Sequence, residues 1–442
     1  MADLATRHGF MRDAIEEIAR SESAALQRDR LDAFELFEAT PFPSPETEEW
    51  RYTDLTGLNL STFVPHQPEP QVRTLDEVPE SVLAAAGAPG ERSALSIQHN
   101  STSVIAHLDP ALDRQDVHFE SIDSALRDHP DLLRDRLHSA VPVDRSKFTA
   151  LHGAFRTGGT FVLVPKGVRV EAPMEALTHV DRPGLAVFPH TVLVLEEGAE
   201  LTFIDRYVSP DDADDVLSNA AVEIYAGPNS RITYVALQEW GSGVTHLSVQ
   251  RAVLARDAEL RSLGVAFGGR LARAEVESVL RGDGSSSEML GLYFGDADQH
   301  IDHRSIQDHV GSQTSSDLLY KGALKGRSRA IYTGTVIIEH GAHKCDAYQT
   351  NRNVLLSETA KAHSVPNLEI LTNDPTRCGH AASVGPVDED ELFYLQTRGI
   401  SPEEAERLIV FGFFKEVLDR VQLEEVRTGL ERAIEAELAR GS

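Results

Sequence analysis

The chain has 442 residues, enough to bury a sizeable core and to make two or three domains. Its 70 Asp and Glu against 42 Lys and Arg leave a net charge of −28 with no basic patch, which argues against a nucleic-acid partner. Two cysteines rule out a disulfide framework and suit a reducing cytoplasm, and no apolar run approaches the roughly 18 residues of a membrane span.

The N-terminal stretch MADLATRHGFMRDAIEEIAR lacks the apolar segment of a signal peptide, so a soluble cytoplasmic protein is expected. Residues 3–38 read as helix, with Ile15, Ile18 and Ala19 on one face and Leu31, Phe34 and Phe37 continuing it. Pro41, Pro43 and Pro45 stop that helix. In SPETEEWRYTDL, Trp50 and Tyr52 are placed to pin this arm to the body. Residues 65–140 mix short strands with two helices, near 75–86 and 121–138. The acid is spread along the whole chain. That pattern suits concentrated salt, where the Debye length falls to about 3 Å at 1 M and self-repulsion is screened. An acidic mesophilic protein is the alternative.

From about residue 155 the texture becomes β-rich. VLEEGAELTF (194–203), IYAGPNSRITY (224–234), VLARDAELRS (253–262) and VLRGDGSSSEML (279–290) each join two apolar runs through a tight turn. Aligning Ala199, Ser230, Ala258 and Ser287 gives a period of about 30 residues, in the range of repeat architectures. A stacked β-solenoid accounts for this; a β-sandwich or jelly roll also has many short strands. Within the β region, QHIDHRSIQDH (299–309) is dense in metal-capable groups. Alternation puts His300 and Asp302 on one strand face and His303 and His309 on the other. A metal set of His300, His303 and His309 is one reading, and polar residues near a β turn are the other. Asp302 and Asp308 would be the acid–base pair of a solenoid enzyme acting on polysaccharide. IIEHGAHKCDA adds Cys345 with His340 and His343.

Cys378 and His380, in RCGHAASVG, are the chain's most suggestive pair. In an extended strand residues i and i+2 share a face, so a thiolate and an imidazole point together at one metal or partner. Two ligands cannot close a tetrahedral site, so others must come from elsewhere. A buried structural cysteine beside a surface histidine is the plain alternative.

The tail returns to helix. One runs from Asp388 through Leu395, with Gly399 at its C-terminal turn. Ser401-Pro402-Glu403-Glu404 opens another with an N-cap, a proline at the first turn and a capping box. Phe411, Phe414 and Leu418 make that helix apolar on more than one side, so it is buried in its own domain or against a partner. A final helix spans roughly 422–439. Phosphate-loop, dinucleotide and nucleophile-elbow motifs are absent, so the chain reads as a scaffold and not an enzyme.

Several of these segments resemble one family in sequence and order. KCDAYQTNRNVLLSETAKAHSVPNLEI (344–370), RCGHAASVG (377–385), LFYLQTRGI (392–400) and DLLYKGALKGRSRAIYTGTVII (317–338) are similar to the SufB/SufD family of iron–sulfur cluster assembly scaffolds, on its SufD side. EEWRYTDL (48–55) is similar to its N-terminal motif. The resemblance covers 150–420 closely and the arm loosely. It implies a mainly β fold with helical flanks: a helical and mixed region over 1–140, a right-handed parallel β-helix over 150–385 and a helical domain over 386–442. It implies pairing with a SufB paralogue, binding of a SufC-like ABC ATPase through the C-terminal helices, and sulfur arriving indirectly from a cysteine desulfurase. A transient iron–sulfur cluster would be shared with SufB, with none held tightly by this chain alone. His380 and Cys378 match the family residues facing SufB, and Phe411, Phe414 and Leu418 fall where the ATPase would bind. A homodimer in isolation, a SufB-like paralogue and a stand-alone metal-binding solenoid stay as alternatives. Two departures stand out. The family reads Cys-Ser-His-Gly where this chain has Cys378-Gly379-His380-Ala381, and Cys345 sits where a threonine is expected.

Overall fold

The computed structural model describes residues 9–20, 22–65, 78–86 and 92–439. Its centre is a parallel β-solenoid built of two long sheets, each coil giving one strand to each. In one sheet, paired strands begin at Glu200, Arg231, Glu259, Ser286, Ser315, Asp346 and Arg377. Coils therefore span from 27 residues (Glu259 to Ser286) to 31 (Asp346 to Arg377), the period expected from the sequence.

A local rule sets this period. The corners before the first six of these strands each turn through one residue in the left-handed region: Gly198 (φ +70°), Asn229 (+55°), Asp257 (+56°), Gly284 (+72°), Gln313 (+59°) and Lys344 (+56°). Glycine, asparagine and aspartate enter that region at least cost. The next residue is small and buried at the corner: Ala199, Ser230, Ala258, Ser285, Thr314 and Cys345. Its carbonyl accepts from the following coil, as when Arg231 N–H donates to Ala199 (2.9 Å) and Arg377 N–H to Cys345 (3.2 Å). The expected alignment holds for the first three corners. The fourth is Ser285, not Ser287, because the corner must follow Gly284. The slip is two residues, so the side chains keep their faces.

The early coils enclose Phe203, Ile224, Tyr234 and Leu260. Further along, Tyr320 pairs with Gly291 and Tyr293 with Gly322, each ring filling the space a β-carbon would need. In the strand Asp346–Leu355 the inward positions turn polar. Asn353 donates to Asn351 (2.8 Å), Asn351 to Tyr293 Oη (3.0 Å) and Tyr293 to Asn353 Oδ1 (2.6 Å).

At the N-terminal side the single expected helix is two, Arg12–Ile18 and Ala24–Ala39, because Ser23 caps a new start. The helix expected over 121–138 is likewise split into Ile122–Asp128 and Pro130–Leu133. His129 precedes a proline and leaves helical geometry (φ −134°, ψ 49°). The helix near 75–86 is described only as Glu80–Ala85. Strands Ala94–His99 and His118–Ser121 extend the two sheets. At the other end lie helices Glu389–Thr397, Pro402–Leu418 and Glu424–Ala439. Ser401 caps the second by accepting from Glu404 N–H, but the Glu404 carboxylate turns to Arg407 (2.8 Å) and leaves the capping box half made. No helix among the described residues is long and apolar enough to cross a membrane.

Candidate functional site

The last coil leaves the solenoid open. Among the described residues, strand Lys361–Ile370 pairs only with Arg329–Ile338, and Arg377–Pro386 only with Asp346–Leu355, so each sheet ends in an unpaired edge. Apolar side chains are exposed there: Ile370 (43 %), Leu371 (43 %) and Val384 (41 %). Unpaired edges of this kind are ready templates for another chain.

Cys378 and His380 stand on this terminal strand. Cys378 is in register with Ala347, and His380 with Gln349, and both partners are fully buried inner-face residues. Register partners in parallel strands share a face, so Cys378 and His380 project along the solenoid interior at its open end. Cys378 is half-buried against Val336, Ala342 and Cys345, whereas His380 is exposed. Burial, with Cys345 nearby, pushes the Cys378 thiol up, so it is protonated at neutral pH until a cation draws the proton off. A β-carbon at position 379 would press on the Tyr348 ring at 3.0 Å, which suits glycine to that place.

The 299–309 residues have other work. His300 Nε2 lies 3.1 Å from Thr53 Oγ1, and Thr53 donates to Asp302 (2.6 Å). Asp302 also takes the buried Arg273 guanidinium, whose face lies 3.9 Å from the centre of the Trp50 ring. Trp50 packs on Phe148 (5.5 Å), and Tyr52 stacks on His363 (5.5 Å). The aromatic pair thus does hold the N-terminal arm, and His300 and Asp302 form its socket. His303 faces inward among Tyr293 and Tyr320, and His309 lies against Thr314 and Ser316 (2.7 Å each). Burial lowers both rings to about 4. Each of the three histidines keeps its own partners, and the structure does not bring them to one point. Asp302 and Asp308 lie six residues apart on one strand, about 20 Å at 3.3 Å per residue, too far for paired acid–base work. Cys345 is the corner residue of its coil. His343 sits in the preceding turn, 3.7 Å from Asp374, so those two do not share a strand face.

Helix Pro402–Leu418 corrects a second reading. Phe414 and Leu418 are buried against Leu263, Leu290 and Phe294 of the solenoid, and Phe411 is partly buried beside them. Phe414 and Leu418 are thus turned away from any partner. The apolar groups that stay exposed are Phe393 (68 %), Tyr394 (57 %) and Leu408 (45 %). Composition does not separate these from the buried set, because only packing tells which face of a helix is used.

Among the described residues, groups able to offer three ligand atoms within 4.8 Å lie elsewhere: His99–His179–Asp181, His118–Glu120–His129 and His138–His190–Glu223. The first and third draw on segments far apart in the chain, which no local motif links, whereas His118 and Glu120 share one strand.

The family model described as "SUF system FeS cluster assembly, SufBD core domain" matches residues 178–413. The chain is 33 % identical to iron–sulfur cluster assembly protein SufD of Bacillus subtilis, over 94 % of each chain. It is 29 % identical to SufB of the same organism, over 95 % of this chain and 91 % of SufB. A SufBD family protein of Mycobacterium leprae is 36 % identical over 67 % of this chain and 76 % of its own.

Proposed function

The chain belongs to the SufB/SufD family of iron–sulfur cluster assembly proteins, and from that premise we propose that it is the SufD-like scaffold subunit of a Suf assembly complex. The observation that carries this reading is the open end of the solenoid. Cys378 and His380 face along the interior where the coil stops, between two unpaired edges lined by Ile370, Leu371 and Val384. A second solenoid docked there would continue both sheets, cover the apolar rim and close a chamber over the thiol and the imidazole. A SufB-like paralogue is the partner that fits, and the nascent cluster is the cargo formed between them, with the remaining ligands from SufB. Sulfur reaches the complex from a cysteine desulfurase. This chain catalyses no step itself. Without its paralogue, the same edges are free to take a second copy.

The C-terminal helices serve the ATPase. Their buried face locks them to the solenoid, and Phe393, Tyr394 and Leu408 form the outward surface a SufC-like ATPase would contact. Movement there would pass to the solenoid through Lys321, which donates to the Phe413 carbonyl (2.8 Å) and pairs with Glu416 (2.6 Å).

The test is anaerobic reconstitution at molar salt, where −28 of net charge is screened. Tagged chain should co-purify a SufB-like and a SufC-like protein and form a cluster. His380→Ala should retain both partners and lose the cluster. Normal cluster yield in that variant would remove His380 from the assignment. Recovery of the chain alone would favour a solitary metal-binding solenoid.

A further inference from the structure

Far from the open end, His190 and Glu223 meet inside the early coils, both fully buried. His190 Nε2 lies 2.9 Å from Glu223 Oε1. His190 Nδ1 lies 3.1 Å from His152 Nε2, and His152 Nδ1 lies 2.8 Å from the Asn219 carbonyl. Protons can be counted along this line. A carbonyl only accepts, so His152 carries its proton on Nδ1 and offers a lone pair at Nε2. His190 therefore donates from Nδ1, and its Nε2 turns a lone pair toward Glu223. Three donors already meet that carboxyl, the N–H groups of His138 (2.6 Å), Ala140 (2.7 Å) and Val141 (3.1 Å), while the single proton of the nearby Tyr225 hydroxyl goes to the Arg136 carbonyl (2.6 Å). Burial pushes the Glu223 carboxyl up, and these N–H groups oppose the rise. A lone pair and a carboxylate oxygen at 2.9 Å need a cation between them, either a proton or a metal ion.

A third ligand group, His138, stands beside this pair. Its ring lies edge-on to His190 at 4.9 Å, and one ligand atom each from His138, His190 and Glu223 fall within 4.8 Å of one another. Its ring is partly exposed, and among the described residues no protein group hydrogen-bonds its nitrogens. Its backbone lies in the left-handed region (φ +61°), with its own N–H bonded to Glu223.

We propose that His138, His190 and Glu223 form a binding site for one divalent cation of the zinc class. His190 Nδ1–H then donates to His152, as the free N–H of a metal-bound imidazole regularly does to its outer-shell acceptor. Two imidazoles and a carboxylate are a common set for such ions. His138 lies in the segment after helix Pro130–Leu133, so the ion fastens that segment to the solenoid. The partly exposed His138 gives it a way in.

Chelator-treated full-length chain is titrated with Zn(II), and separately with Co(II), then desalted for metal analysis. One equivalent should be retained, cobalt should show the visible bands of a nitrogen- and oxygen-ligated low-coordinate site, and zinc should raise the melting temperature. His138→Ala should lose the retained metal, and His152→Gln should weaken binding about 10–100-fold. His99→Ala, in the separate His99–His179–Asp181 group, should change nothing. Wild-type chain that retains no metal, with a melting temperature indifferent to zinc, would show that the cation is a proton. Loss of metal in His99→Ala and not in His138→Ala would place the ion elsewhere. The wild-type retention and cobalt spectrum decide the matter even where a variant fails to fold.

Discussion

Replacing His309 by glutamine should flatten the acid side of the stability curve. His309 is fully buried, with Nδ1 and Nε2 each 2.7 Å from a hydroxyl, of Thr314 and Ser316. Burial lowers its pKa to about 4, from 6.5 for an unperturbed ring. Between those values the unfolded chain binds more protons than the folded one. The stability given by the neutral ring is therefore complete above pH 6.5 and drains away as pH falls toward 4. A depression of roughly 2.5 units, at about 1.4 kcal/mol each, is worth about 3 kcal/mol. Urea unfolding at molar salt, from pH 7.5 to 4.5, should show wild type losing most of that amount relative to His309→Gln. Taking the difference matters. Asp205 and Asp308, raised by burial to about 6, gain stability as pH falls and would mask the effect in wild type alone. Parallel curves for the two proteins would refute the reasoning and mean that His309 is protonated as easily folded as unfolded.

Other substitutions probe the packing. Gly322→Ala sets a methyl inside the buried Tyr293 ring and should cost about 1–3 kcal/mol, read from the unfolding midpoint. Arg273→Ala leaves the Asp302 carboxylate buried with Thr53 but without its cation. It should cost about 3–5 kcal/mol and speed limited proteolysis of the proline-rich stretch before Trp50. Phe414→Ala should destabilise the C-terminal helices by about 3–5 kcal/mol, whereas the exposed Phe393→Ala should stay within about 0.5 kcal/mol of wild type and weaken capture of the ATPase partner.

The solenoid was legible because its period is local. One left-handed residue and one small buried corner recur in six successive coils, and both leave composition traces in the chain: Gly198-Ala199, Asn229-Ser230, Asp257-Ala258. The fourth corner was misplaced by two residues because GDGSSS offers several small residues, and only the φ of Gly284 shows which one turns the chain. The i, i+2 geometry of Cys378 and His380 was legible for the same reason, since a strand fixes it without reference to anything distant.

Residues whose meaning depends on a partner far along the chain were not legible. His300 and Asp302 look like metal ligands in QHIDHRSIQDH until Thr53 arrives from 249 residues away to bind Asp302. Phe414 and Phe393 are both aromatic helix residues, and only docking on Leu263 and Leu290 buries one and leaves the other in water. His138 and Glu223, 85 residues apart, carry no shared motif at all. By itself the sequence determined the coil, its turns and the face that Cys378 and His380 share, because backbone sterics and side-chain alternation act between neighbours. The tertiary structure decided which ionisable groups meet, which are paired and which stay free, because burial and charge pairing act through space between coils and segments that the chain order keeps apart.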